Sequence, residues 1–169
     1  EAHRAHDVPR APRLDVPGGV YYAVQACSAG RSLFNRASDY AHFEELLTRA
    51  VSKAQARLLA FSWLPSAAHL VVQVDSVPLG RLLQGCTSRY ARYLHAQTQE
   101  SGHVFAGRYR AMLVEPTPWL PGLIRYIHYT PVLEGLTRDI GDYPHTSHRF
   151  YAQRERRGWV DARSHHVVL

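Results

Sequence analysis

Tyr126 and Thr130 lie in the stretch Gly122–Pro131, four residues apart. That spacing puts two side chains on one helical face. A phenol and a small hydroxyl placed so could be a nucleophile with an assistant. They could equally be two polar groups at the edge of a core. His69, within Leu64–Val72, is a third candidate. It falls on the strand face opposite the apolar one, and an imidazole there can ligate a metal from an open surface. Taken alone, it reads more simply as a hydrogen-bonded side chain.

Two further stretches mix arginine with aromatic rings. Gly102–Arg110 holds His103, Phe105, Arg108, Tyr109 and Arg110 between turn-making glycines. Arginine for phosphate and rings for bases is the composition suited to single-stranded nucleic acid. Ser88–Tyr93 repeats the theme on a helix, with Arg89 and Arg92 on one face and Tyr90 and Tyr93 on another. A hairpin with ordinary exposed arginines and a solvated charged face are the plainer alternatives.

These groups need elements to hold them. Gly19–Cys27 alternates and is rich in Val and Tyr, which predicts a strand. Ser38-Asp39 can cap a helix running to about Gln55, with Tyr40, Phe43, Leu46, Leu47, Ala50 and Val51 as its buried stripe. Leu58–Leu64 and Ala68–Val74 predict a hairpin turning at Pro65-Ser66. In its second strand Ala68, Leu70, Val72 and Val74 face one side, and His69, Val71 and Gln73 the other. A long helix spans Pro78 to about Gln99. His103–Phe105 and Tyr109–Val114 are short strands around Gly107. The helix bearing Leu123, Ile124, Tyr126 and Ile127 follows, and Pro131 marks its expected end. Beyond Gly135 the pattern weakens, with a short helix expected at His148–Arg154.

The order predicts an α+β fold: a ferredoxin-like antiparallel sheet with helices packed on one face and an additional C-terminal helix bearing the tyrosine. Residues 1–17 read as a basic N-terminal arm carrying Arg4, Arg10 and Arg13, 18–151 as the folded domain, and 152–169 as a tail. Arg154, Arg156 and Arg157 in that tail read as a solvated basic end.

The 169 residues favour one domain, and 46% hydrophobic content favours a folded globule over disorder. No apolar run approaches membrane-spanning length, and the N-terminus lacks a secretory apolar segment, so a soluble cytoplasmic bacterial protein is expected. Cys27 and Cys86 form no metal-type pair and read as small hydrophobes. Net charge is +6, and Lys53 is the only lysine. A basic, tyrosine-rich domain points toward nucleic acid, and arginine supplies the planar fork that suits phosphate.

The blocks Pro12–Tyr21, Leu64–Leu70, Arg89–Tyr93, Gly102–Tyr109, Arg125–Val132 and Asp142–His148, in this order, resemble those of the REP-associated tyrosine transposases. These are relatives of the IS200/IS605 single-tyrosine transposases of the HUH superfamily. The resemblance covers about Pro9 to Tyr151. It implies a tyrosine that attacks a phosphodiester of single-stranded or hairpin DNA of repetitive palindromic elements, leaving a 5′-phosphotyrosine link and a free 3′-hydroxyl. It implies a divalent metal, Mg²⁺ or Mn²⁺, held by a His-hydrophobic-His pair and a polar residue one turn after the tyrosine. Relatives are monomers or homodimers. Carried over, Tyr126 matches the nucleophile, His69 the second histidine and Thr130 the polar residue. Hairpin contacts fall to Arg10, Arg13, Arg89, Arg92, His103, Arg108, Tyr109, Arg110 and Arg125.

The departures from that pattern are specific. Ala67 stands where the first histidine belongs, Ser66 where Asn is frequent, Thr130 where relatives carry Asn or Gln, and Phe105 where Trp follows Gly-His. The loop after the first strand reads Ala26-Cys27-Ser28 instead of Arg-Gly-Asn. A single imidazole and a hydroxyl hold a hard cation weakly. The expectation is therefore DNA binding with impaired metal-dependent cleavage. The alternatives are an active strand transferase whose metal site is rebuilt with Gln73 or His128, and an RNA-hairpin-binding module.

Overall fold

The computed structural model describes residues 15–152 together with 160 and 161. The arm arginines Arg10 and Arg13 and most of the tail lie outside the described residues.

The elements follow the order read from the sequence: β1 (Val20–Ala26), α1 (Ala37–Lys53), β2 (Arg57–Trp63), β3 (Ala67–Gln73), α2 (Leu79–Thr98), β4 (Arg110–Val114), α3 (Pro116–Leu133) and α4 (His148–Ala152). The strands form one antiparallel sheet in the order β2-β3-β1-β4. Two βαβ units that share a sheet in this order give the expected ferredoxin-like α+β fold. His103–Phe105 is not a strand; Phe105 makes only an isolated bridge to Cys27.

Alternation along the strands builds two cores. On one face Tyr21, Ala23, Phe61, Trp63, Ala68, Leu70 and Val72 meet α1 and α2 through Phe43, Leu47, Leu82, Leu83 and Tyr90. On the other face Val20, Leu59, Ala60, Val71 and Val114 meet Leu120, Ile124 and Ile127 of α3. The helices expected on one face, α1 and α2, are there, and the additional helix α3 covers the reverse side. The reason is its own stripe, since Leu120, Ile124, Ile127 and Pro131 bury an apolar face that needs a second apolar sheet surface.

Asp39 anchors the start of α1. Its buried carboxylate accepts from the backbone N–H of Asn35 (2.9 Å) and Arg36 (3.0 Å) and from the Tyr93 hydroxyl (3.0 Å).

Pro131 does not end α3, which continues to Leu133. A proline at this position removes the N–H that would serve the carbonyl of Ile127. The Thr130 hydroxyl replaces it, with Oγ1 2.7 Å from that oxygen. The helix tolerates its proline because the preceding side chain satisfies the orphaned acceptor.

The segment after α3 is more ordered than its sequence pattern suggests. Trp63 donates its N–H to the carbonyl of His145, Ser147 donates its N–H to that of Phe61, and the Tyr143 hydroxyl donates to the carbonyl of Trp63 at 2.8 Å. Residues 143–150 thus cover the outer edge of β2, which would otherwise offer unpaired backbone groups.

Candidate functional site

The site lies where α3 stops covering the sheet. Helix α3 packs mainly over β2; on β1 and β4 it buries Val20 and Val114 but leaves the Arg110 and Met112 end of that face open. Cross-strand register fixes what the open end displays. Ser62 of β2, His69 of β3, Val24 of β1 and Arg110 of β4 form one row across the sheet. Paired residues share a face, so His69 and Arg110 lie on the same side, roughly 10 Å apart at two strand spacings. Tyr22 and Met112 occupy the next row but one, and Met112 is exposed.

Tyr126 stands on the flank of α3 beside this open end. It is 48% exposed, as is Tyr129, so exposure does not distinguish the two. Proximity does. Burial, followed by the charge of Tyr126 and a side-chain hydrogen bond with it, pushes the Tyr22 phenol up to about 12. Tyr22 therefore stays protonated at neutral pH. Its oxygen also lies 2.8 Å from Nδ1 of His69, and the two rings stack. Tyr126, Tyr22 and His69 form a continuous chain from the helix to β3. Burial holds His69 below the ordinary histidine range, and the nearby Glu134 carboxylate partly offsets that. In the tautomer with its proton on Nδ1, His69 donates to Tyr22 and keeps its lone pair on Nε2.

Thr130 does not join this chain, which corrects its assignment as a metal ligand. It is 3% exposed, and its hydroxyl lies between the Ile127 carbonyl and Ser62 Oγ, at 2.7 and 2.9 Å. Donating to the carbonyl and accepting from Ser62 leaves it no role at an open site. Ala67 offers only a methyl group. The ligand set carried over from the resemblance, His69 with Thr130, does not assemble.

The substitutes considered for it fail as well. Gln73 sits at the other end of the sheet, bonded to Arg57 and to the carbonyl of Gly18. His128 is fully buried on the opposite flank of α3, with Nε2 2.7 Å from Ser147 Oγ and its ring edge-on to His148. Burial and the neighbouring His148 bring it down to about 3. Among the described residues no group of three or more His, Cys, Asp or Glu side chains could hold a metal.

The residues assigned to DNA divide into three sets. Arg108 and Arg110 are exposed at the His69 end of the sheet, where Gln25 donates to the carbonyl of Gly107 at 3.0 Å and fixes the loop. Gly107 takes φ +121, a left-handed value that favours glycine. Arg125 is exposed one residue before Tyr126, and His103 is exposed in the loop after α2. Arg89 and Arg92 are exposed too, but on α2, across the sheet from Tyr126. Tyr109 is corrected: it is buried, because its side chain turns into the α1/α2 core, with its hydroxyl close against Gly80.

Two site residues escaped the sequence reading. Tyr22 registered only as a strand residue. Glu134 lay beyond the expected end of the helix, yet it reaches back to β3. Both its carboxylate oxygens lie within 2.9 Å of Ser66 Oγ.

No family model matches the sequence, and no curated protein matches it. Solved structures do. One is a REP-associated tyrosine transposase bound to a REP hairpin: 95% of this chain and 96% of that one superpose with a TM-score of 0.74, at 14% identity. Another is a candidate transposase from Deinococcus radiodurans, matched over 69% of this chain and 93% of that one, with a TM-score of 0.49 and 13% identity. The chain thus has the fold of a REP-associated tyrosine transposase. At this level of identity the likeness is one of fold. Among the described residues no helix is long and apolar enough to cross a membrane.

Proposed function

We propose that this chain binds single-stranded or hairpin DNA and that Tyr126 is its strand-transfer nucleophile. The observation that carries the reading is the placement of an exposed phenol beside Tyr22 and His69, at the rim of an open sheet face bearing Arg110, with Arg108 exposed in the loop before it. The net charge of +6 favours a phosphate backbone. The solved neighbour of the same fold binds a REP hairpin, which supports the same class of ligand here. A repetitive palindromic hairpin is accordingly the substrate to try first.

In the proposed step the Tyr126 oxygen bonds to phosphorus and the P–O3′ bond breaks. The phenolic proton leaves Tyr126, and the departing 3′-oxygen gains one, so the products are a 5′-phosphotyrosine and a 3′-hydroxyl. Tyr22, held protonated, donates to the Tyr126 oxygen and fixes its direction. His69 holds Tyr22 in turn. A divalent cation, where bound, would polarise the scissile phosphate. Loss of the His-hydrophobic-His pair at Ala67 supports slow cleavage relative to binding.

Binding is tested by fluorescence anisotropy with a DNA hairpin carrying a single-stranded flank, across a salt series. The hairpin should bind better than blunt duplex or the matching RNA hairpin. Arg110→Ala should weaken binding severalfold and lower the slope of log K against log salt by about 1. Equal affinity for the RNA hairpin would favour the RNA-binding alternative instead.

A further inference from the structure

An indole offers a large apolar area to burial, so a tryptophan left in water calls for a reason. Trp119 is 66% exposed, the most exposed large apolar side chain among the described residues. Among those residues no ring contact or hydrogen bond engages its indole. Its mount is rigid. The next residue, Leu120, is buried against Val20 and Val114, and Pro118 and Pro121 fix the backbone φ on either side.

Both Trp119 and Tyr126 belong to α3. Seven residues make almost two full helical turns, so the two share a flank, about 20° apart around the axis and about 10 Å apart along it. The turn between them presents Gly122, with open space where a Cβ would stand. The outer side of the flank is thus clear of a side chain between indole and phenol. Helix α3 starts at the Val114 end of the sheet and meets Ser62 at Thr130. This flank therefore runs from Trp119 through Tyr126 toward the row that holds Arg110. Around the indole, residues 114–123 carry Glu115 and no basic side chain. That end of the flank repels phosphate and suits the uncharged face of a base. The exposed arginines that attract phosphate, Arg125 and Arg110, lie at Tyr126 and beyond it.

We propose that Trp119 is the platform on which one base of the single-stranded flank of a DNA hairpin stacks, a few nucleotides from the phosphate that faces Tyr126. About 10 Å corresponds to about three nucleotides at the stacked rise of a duplex strand, and to fewer in an extended one. The inference rests on the DNA-strand reading above. It adds a residue that sets the register of the strand against the phenol.

The test uses the full chain in EDTA and fluorescence anisotropy with three probes: a DNA hairpin with a single-stranded flank, the same hairpin without it, and flanked hairpins made abasic at one flank position at a time. Trp119→Ala should weaken the flanked hairpin by on the order of tenfold and leave the flankless one unchanged. Trp119→Phe should recover most of the loss. Trp119→Leu, which keeps apolar bulk without a π face, should not. In the parent one abasic position should cost about as much as Trp119→Ala, and in Trp119→Ala that position should cost nothing further. The unfolding midpoint should not move, because the side chain is exposed. Equal affinity of parent and Trp119→Ala for the flanked hairpin, an equal loss on the flankless one, or the same abasic penalty in both proteins would overturn the proposal. A parent dimer that Trp119→Ala splits without change in DNA affinity would overturn it too, and assign the indole to a contact between copies. Failure of the parent to bind either hairpin would instead strike the DNA reading, and this inference with it.

Discussion

Helix α3 carries polar aromatic side chains on two flanks, and the flanks have different fates. Tyr126 looks out over the uncovered Arg110 and Met112 end of the sheet and meets Tyr22. His128, two residues on, is sealed against Ser147, His148 and Tyr151 under the segment that covers the β2 edge. The sequence treats these residues alike; their surroundings do not. A titratable group facing an opening can meet substrate. One walled in by packed rings and a serine serves the fold, and its depressed pKa reports burial rather than catalysis. A lowered histidine pKa alone does not separate site from core here, since burial lowers both His69 and His128.

The sharpest way to break this contrast is to change each flank separately. Tyr126→Phe should abolish the covalent DNA adduct, a loss on the order of a thousandfold or more, while hairpin affinity and unfolding midpoint stay near those of the parent. Denaturing gels of labelled hairpin read the adduct, and anisotropy reads the affinity.

His128→Ala should do the reverse, costing about 2–4 kcal/mol of stability through a cavity and the lost contact with Ser147. Denaturant unfolding measures it, and an adduct should still form under conditions where the variant is folded. The parent should also show a pH signature. Burial holds His128 near 3, whereas an unfolded histidine titrates near 6.5. Between these values the unfolded chain binds more protons. The stabilisation is therefore present above about 6.5 and declines as pH falls toward 3, by up to about 1.4 kcal/mol per unit from this group. His128→Asn should flatten that part of the profile.

Thr130→Val gives the smallest effect. It should lower stability by about 1 kcal/mol, the scale of a buried hydrogen bond, because the Ile127 carbonyl and Ser62 lose a partner. Adduct formation should persist. Its abolition in a folded protein would return Thr130 to the site.

Much of this was legible in the sequence because alternation and helical periodicity report burial directly. The β3 pattern placed His69 opposite Ala68, Leu70 and Val72, and the structure agrees. The order of elements predicted the sheet. The errors have local causes. Spacing put Tyr126 and Thr130 on one face, but spacing does not reveal that Pro131 orphans a carbonyl and draws the Thr130 hydroxyl inward. The proline also suggested a helix end, which hid Glu134. Tyr109 was grouped with its arginine neighbours, although strand alternation sends it to the core. Tyr22 needed the third dimension, since no local pattern brings residue 22 to residue 126.

The most direct measurement maps the covalent link. Tyr126 and Tyr129 fall in one tryptic peptide, Tyr126–Arg138, and share the same exposure. Incubating the chain with a flanked DNA hairpin and Mn²⁺, digesting it and sequencing that peptide by mass spectrometry separates them. The phosphonucleotide should be found on Tyr126, absent from Tyr126→Phe and diminished in Tyr22→Phe. A linkage on Tyr129, or none while the hairpin is bound and Mn²⁺ is present, would contradict it.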